Sequence, residues 1–177
     1  MSLKDFAGAL PEFAKDIRLN VGSLLNEQHL SDQQKFGLLL TCAHGTGYKP
    51  LVEATEAEVA EKLTPEAANA ARAAAAVMAM NNVYYRFVHL AGNPEYGNMP
   101  AKLRMNVIGA YKGDAKNDFE LVSLAVSAVN GCGMCIDSHD KVLRDGGISV
   151  QAIQSAVRIA SVIHGVAVVL EQADAAG

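Results

Sequence analysis

Apolar residues recur every third or fourth position through most of the chain, while strictly alternating runs of β-branched residues are scarce, so the dominant period is helical. The pattern predicts an all-α fold with helices near 12–25, 32–44, 50–62, 65–91, 100–112, 117–130, 132–145 and 149–173. Start signals support several of these boundaries. Ser31-Asp-Gln-Gln34 has the spacing of a capping box, Thr64-Pro65-Glu66 puts a hydroxyl before a proline at the first helical position, and Ser149 is placed to cap the last helix. Stops are expected at Gly45 and Gly47, in the Gly92-Asn-Pro-Glu-Tyr-Gly97 loop, at Gly113 and at Gly146-Gly147.

A coarser pattern lies over the helices. A helix from Phe36 to Gly45, a second helix, then Thr64-Pro-Glu-Ala67 and a long Ala-rich helix are matched by Phe119 to Gly131, another helix, then Ser149-Val-Gln-Ala152 and a long apolar helix. Setting Thr64 on Ser149 brings Ala67, Ala71 and Ala75 onto Ala152, Ala156 and Ala160. The chain reads as one domain, 1–177, built from a duplicated helical unit with copies at about 30–95 and 115–175. Lys49 and Pro50 fall where Met134 and Cys135 stand, so only the second copy carries a cysteine pair.

Composition narrows the function. Half of the 177 residues are hydrophobic and 19% are charged, which excludes a disordered chain. Fifteen basic residues against nineteen acidic ones give a net charge of −4, and no run of Lys or Arg forms a basic stripe, so nucleic acid is not an expected partner. The first eleven residues lack a sustained apolar run. The longest apolar stretch, Ile159–Leu170, is interrupted by His164 and too short to cross a bilayer. The expectation is a cytoplasmic protein without a membrane segment.

Three cysteines in such a chain do not make a disulfide framework, so their spacing decides their use. Cys42 stands alone and reads as a small buried hydrophobe. Cys132 and Cys135 form a C-x-x-C at a predicted helix start, in Asn130-Gly-Cys-Gly-Met-Cys-Ile-Asp-Ser-His139. At about 100° per residue, Cys132, Cys135 and His139 fall within roughly 60° of one another on one face. A reversible disulfide is feasible there, because i and i+3 Cβ atoms lie about 5–6 Å apart and a small adjustment of the first turn closes the gap. Free backbone N–H groups and the helix dipole favour a thiolate in that turn, and His139, one turn beyond Cys135, can take its proton. Gly131 and Gly133 are expected to let the backbone approach closely and to leave room for a substrate.

Upstream, the helix from Phe119 to Val129 contains one charge, Glu120. It reads either as a partly buried acid exchanging protons with the histidine or a thiol, or as part of a solvated stripe with Ser123, Ser127 and Asn130. Periodicity alone favours the stripe. Two other readings of the cysteines stand beside redox chemistry. Cys132, Cys135 and His139 are acceptable zinc ligands, with Cys42 or His44 as a fourth, although i, i+3 and i+7 on one helix is an awkward spread and no second C-x-x-C is present. Alternatively, the chain is a non-catalytic helical oligomerisation module with incidental thiols. His29, His44, His89 and His164 have no chemical neighbours in sequence and read as surface or satisfied core residues.

Glu120, eleven residues, Cys132-Gly-Met-Cys135, three residues, His139 resembles the E-x11-C-x-x-C-x3-H motif of the alkyl hydroperoxide reductase AhpD family, within the carboxymuconolactone decarboxylase-like superfamily. Leu10-Pro-Glu-Phe-Ala-Lys-Asp-Ile17, Met78-Ala-Met-Asn-Asn-Val-Tyr-Tyr-Arg86 and Leu103-Arg-Met-Asn-Val-Ile108 extend the resemblance over essentially the whole chain. The resemblance implies a homotrimeric, lipoyl-dependent thiol peroxidase with no bound cofactor or metal. In that reading Cys135 attacks the peroxide and becomes a sulfenic acid. Cys132 supplies a proton and then closes the disulfide, and Glu120 and His139 form the proton relay. Dihydrolipoyl groups on a 2-oxoacid dehydrogenase component reduce the disulfide, and electrons pass to the peroxiredoxin AhpC, with a mixed disulfide through Cys135 as one route. Some relatives carry a histidine between the cysteines; Met134 stands there in this chain.

Overall fold

The computed structural model describes residues 3–24 and 26–176, and among them it is all-α with no strand. Helices α1 (Leu3–Ala9), α2 (Lys15–Leu24), α3 (Asp32–Thr46), α4 (Lys49–Val59) and α5 (Pro65–Leu90) are followed by the short α6 (Glu95–Asn98). Then come α7 (Asp114–Val129), α8 (Gly133–Asp145) and α9 (Val150–Ala176). The three caps expected from sequence are present. Ser31 Oγ accepts from Gln34 N at 3.1 Å while Ser31 N donates back to Gln34 Oε1 at 3.0 Å, completing the box. Thr64 and Ser149 each accept from the backbone N–H three residues on, at 3.2 Å.

Helix α7 is the axis of the fold. Nine consecutive residues, Phe119–Ser127, are buried, because α7 packs against α3, α5, α8 and α9 at once. Around it α3 packs on α5 and α9, so one core runs from Leu38 and Leu39 through Leu121 and Leu124 to Ile159 and Ile163. Helix α9 is longer than the apolar stretch alone suggested: an 18-residue window within Val150–Ala175 has a mean hydropathy of 1.7, and the helix is long and apolar enough to cross a membrane by length and composition. Its burial against α3 and α7 is that of a core helix, with Ala156, Ile163 and Val166 fully covered.

Four expectations fail for identifiable reasons. Residues 100–112 do not form a helix: the chain is irregular to Met105 and then makes a 3-10 turn, Asn106–Ala110. From Ala101 to Val107 burial alternates residue by residue, with Lys102, Arg104 and Asn106 exposed, which is the period of an extended segment and not of a helix. The 12–25 helix opens as a 3-10 turn, Glu12–Ala14, after Pro11. Gly45 lies inside α3, where an added Cβ would sit 3.6 Å from Val126, and the stop falls at Gly47 in the left-handed conformation. Gly113 opens α7 instead of closing a helix.

Candidate active site

The α7–α8 connection builds the redox centre. Asn130 and Gly131 turn the chain, Gly131 adopting φ +65°, and Cys132 N donates to Ser127 O at 3.1 Å. Cys132 is the N-cap of α8 and is joined to Cys135 by a disulfide with Cα atoms 5.3 Å apart. Its Sγ accepts from Cys135 N at 3.3 Å, taking the place of a capping oxygen. An added Cβ on Gly131 or Gly133 would meet nothing within 4 Å, so neither glycine serves a close backbone approach; Gly131 serves the turn.

The two sulfurs differ in access. Cys132 is 0% exposed and Cys135 is 7% exposed, and only Cys135 lines the adjoining cavity of about 360 Å³. One wall of that cavity is α8, with Met134, Cys135, Ser138, His139 and Val142, and Glu120 joins from α7. The opposite wall is α5, which contributes Met78, Asn81 and Tyr85. Met105 and Ile108 close it from the segment that the helical period misread. Tyr111 anchors that segment by stacking on Phe119, with ring centroids 4.8 Å apart.

Glu120 is not part of a solvated stripe. It is 5% exposed, Ser123 and Ser127 are fully buried, and His139 Nδ1 donates to Glu120 Oε2 at 2.6 Å. The carboxylate orients the imidazole through Nδ1, and the other ring nitrogen, Nε2, lies 3.4 Å from Met78 Sδ. Three of the four motif residues therefore border one cavity, and the fourth, Cys132, lies bonded behind Cys135. The zinc reading needed a fourth ligand from α3. Cys42 lies in the core, with its thiol pushed up to about 12 by burial, and His44 is bonded to Glu56. Among the described residues no group of three His, Cys, Asp or Glu is arranged to hold a metal ion.

The support behind the cysteine turn was not foreseen from sequence. Asn82 on α5 is 1% exposed; its Nδ2 donates to Ser127 Oγ at 2.9 Å and its Oδ1 accepts from Asn130 Nδ2 at 2.9 Å. Arg86, one turn on, donates to Asn130 O at 2.6 Å. Two adjacent asparagines in the middle of an Ala-rich helix oppose helix propensity, and that was the available signal.

A second polar cluster was also missed. His44 Nε2 lies 2.8 Å from Glu56 Oε1, and Arg72 holds the same carboxylate through Nε at 2.7 Å and Nη2 at 2.5 Å. The Arg72 hydrogen bonds, with His44 adding to them, hold the Glu56 carboxyl down to about 2. A depressed carboxylate stabilises the fold above its unfolded pKa of about 4.5, and that contribution is lost as pH falls through about 2. Glu56→Gln should therefore lower the melting temperature at neutral pH by about 2–4 °C. Thermal melts across pH should show the gap from wild type closing between about pH 4.5 and 2.

Comparison with known proteins finds relatives along nearly the whole chain. Residues 94–176 match the model of the carboxymuconolactone decarboxylase family. An alkyl hydroperoxide reductase AhpD from Rhizorhabdus wittichii is 73% identical over 169 residues, covering 96% of this chain and 97% of that protein. AhpD proteins from Methylocella silvestris and Rhodopseudomonas palustris are 57% and 56% identical, covering 98% and 97% of this chain and 97% and 94% of their own lengths. With likeness at that level from end to end, and with a buried Glu–His pair and a C-x-x-C disulfide meeting at one cavity, the chain belongs to the alkyl hydroperoxide reductase AhpD family.

Proposed function

We propose that the protein is a lipoyl-dependent thiol peroxidase that reduces organic hydroperoxides through the Cys132–Cys135 pair. The observation that carries this reading is the asymmetry of the disulfide: Cys135 borders the cavity beside His139, and Cys132 is sealed behind it.

In the reduced protein His139 Nε2 takes the Cys135 proton, and the thiolate attacks the terminal peroxide oxygen. A sulfur–oxygen bond forms and the oxygen–oxygen bond breaks, leaving Cys135 as sulfenic acid. The departing alkoxide takes the Cys132 proton and leaves as alcohol. The Cys132 thiolate then attacks Cys135 Sγ, and the hydroxyl leaves as water with the proton held by His139. The disulfide seen here is the product.

Regeneration uses the same asymmetry. A dithiol entering the cavity reaches Cys135 Sγ, and the leaving group is the Cys132 thiolate, which the Cys135 N–H and the start of α8 stabilise. The second thiol of the reductant closes its own ring and releases Cys135. A dihydrolipoyl arm fits this role, because Met78, Ile108, Met134 and Val142 give the cavity apolar walls that suit an acyl chain ending in a dithiol. That arm belongs to a 2-oxoacid dehydrogenase component, and the reduced pair passes electrons on to the peroxiredoxin AhpC. A disulfide that cycles in this way requires a reducing compartment, the cytoplasm.

Assembly as a homotrimer has a surface to use. Met80, Val83, Phe87 and Leu90 are exposed at three- and four-residue intervals along α5, the spacing of a helix seam. Sedimentation equilibrium should return three chains, and a monomer would overturn this part.

A free-thiol count tests the activity. Denatured reduced protein should show three thiols, and one equivalent of an organic hydroperoxide should leave only Cys42. Dihydrolipoamide should restore the other two. Three persistent thiols would refute the reading.

A further inference from the structure

We infer that Met78 is a positioning residue for the His139 base: its thioether leaves the bare Nε2 nitrogen free to take the Cys135 proton and then accepts the N–H that forms. The inference rests on the peroxidase reading above and names a residue outside the cysteine, histidine and glutamate motif.

The contact is between named atoms. Met78 Sδ lies 3.4 Å from His139 Nε2, in the direction that a hydrogen on that nitrogen takes, while Nδ1 is held by Glu120 Oε2 at 2.6 Å. Each ring nitrogen therefore faces a group that accepts and does not donate, a carboxylate on one side and a thioether on the other. Three helices meet in this arrangement, with Met78 on α5, Glu120 on α7 and His139 on α8. Met78 is 1% exposed and His139 9%, so the contact is made inside the protein and not across solvent. Methionine is otherwise a flexible side chain, but Asn82 Nδ2, one turn along α5, lies 4.0 Å from the same sulfur and ties it to the clamp behind the cysteine turn.

The sulfur suits both halves of one proton transfer. A hydroxyl or an amide NH2 placed against Nε2 would donate to the bare nitrogen and occupy the lone pair that must receive the proton. A thioether has no hydrogen to give, so that lone pair stays available. When the Cys135 S–H bond breaks and the proton arrives at Nε2, the new N–H points at Met78 Sδ, a polarizable acceptor for a ring that has become a cation. That N–H is then held away from the thiolate, whose lone pairs are left for the peroxide. Only a proton moves in this step: no electrons change hands, and the Met78 sulfur is unaltered. A thioether is also far too weak a base to remove the proton, so His139 keeps it until the hydroxyl leaves as water.

The test is Met78→Leu, which keeps the volume and removes the acceptor, made alone and in a His139→Asn background. Reduced proteins are followed by two readouts: iodoacetamide alkylation of Cys135, located by mass spectrometry, and disulfide formation with cumene hydroperoxide by stopped flow. The expected result is a loss of about tenfold in both rates in the otherwise wild-type protein, and of less than about twofold in the His139→Asn background, because Met78 acts through the histidine. The variant should melt within about 5 °C of wild type. Rates unchanged by Met78→Leu, or an equal loss in both backgrounds as a packing role would give, would overturn the assignment. A second measurement needs no variant. In oxidised wild-type protein labelled at the histidine nitrogens and methionine methyls, held at about pH 6, below the ordinary histidine pKa of about 6.5, the His139 Nε2 proton should be visible by NMR and show a nuclear Overhauser contact to a methionine methyl. Absence of that contact would also overturn the assignment, whether or not Met78→Leu folds. Wild-type protein that forms no disulfide with peroxide, while the alkylation and NMR results hold, would instead overturn the peroxidase reading, so the two failures are distinguishable.

Discussion

Cys135→Ser abolishes hydroperoxide turnover, with an expected loss of at least about 10³-fold, because the one cysteine bordering the cavity is gone. A serine hydroxyl in the same place forms no thiolate, and its oxygen is a poor nucleophile toward a peroxide oxygen and yields no sulfenic acid. Cys132 does not substitute for it: the thiol is fully buried and lines no part of the cavity. The complementary variant, Cys132→Ser, should react once and stop, and trapping with a sulfenic-acid reagent should show one labelled site at Cys135. Mass spectrometry of the two variants after one equivalent of peroxide separates the roles. Labelling at Cys132 in Cys135→Ser would reverse the assignment.

Glu120→Gln has the second largest expected effect, a fall in the peroxide rate of about 10²–10⁴-fold with the fold retained. The carboxylate accepts from His139 Nδ1 at 2.6 Å and so keeps the Nε2 lone pair available. A glutamine of nearly identical shape can offer its NH2 to Nδ1 instead. The proton then moves to Nε2, and the base that should receive the Cys135 proton is lost. Glu120 is also 5% exposed in a helix otherwise free of charge between Phe119 and Val129, so no water replaces it. The check is the peroxide half-reaction followed by stopped flow, with circular dichroism and a thermal melt showing that the fold is retained. A rate within threefold of wild type would remove Glu120 from the mechanism.

Much of this molecule could be read before its fold was known, for reasons that can be named. Local chemistry announces itself, so the Ser31, Thr64 and Ser149 caps and the register of Cys132, Cys135 and His139 all follow from short-range spacing. Glu120 was harder. Its helical spacing with Ser123 and Ser127 looks like a wet stripe, and only the packing of α3, α5, α8 and α9 around α7 makes that face dry. The 100–112 segment was misread because an eye for three- and four-residue periods passes over the strict alternation of Ala101-Lys-Leu-Arg-Met-Asn-Val107. The role of Met78, Asn81 and Asn82 was beyond local reasoning, although the paired asparagines stood out: they lie 50 to 57 residues before the cysteines and join that site only through tertiary structure.

The clamp between Asn82, Arg86 and the Asn130 turn has a consequence for how this protein can be divided. The family match begins at residue 94, yet the partners of that turn, and a whole wall of the cavity, come from α5. A fragment cut at that boundary would keep every residue of the motif and still lack the groups that hold Asn130 and face Cys135. The redox motif is not a portable cassette. Grafting it onto another helix hairpin would transfer the sulfurs without their bearing surface, and a shorter relative that lacked α5 would have to borrow the equivalent helix from a second copy of itself.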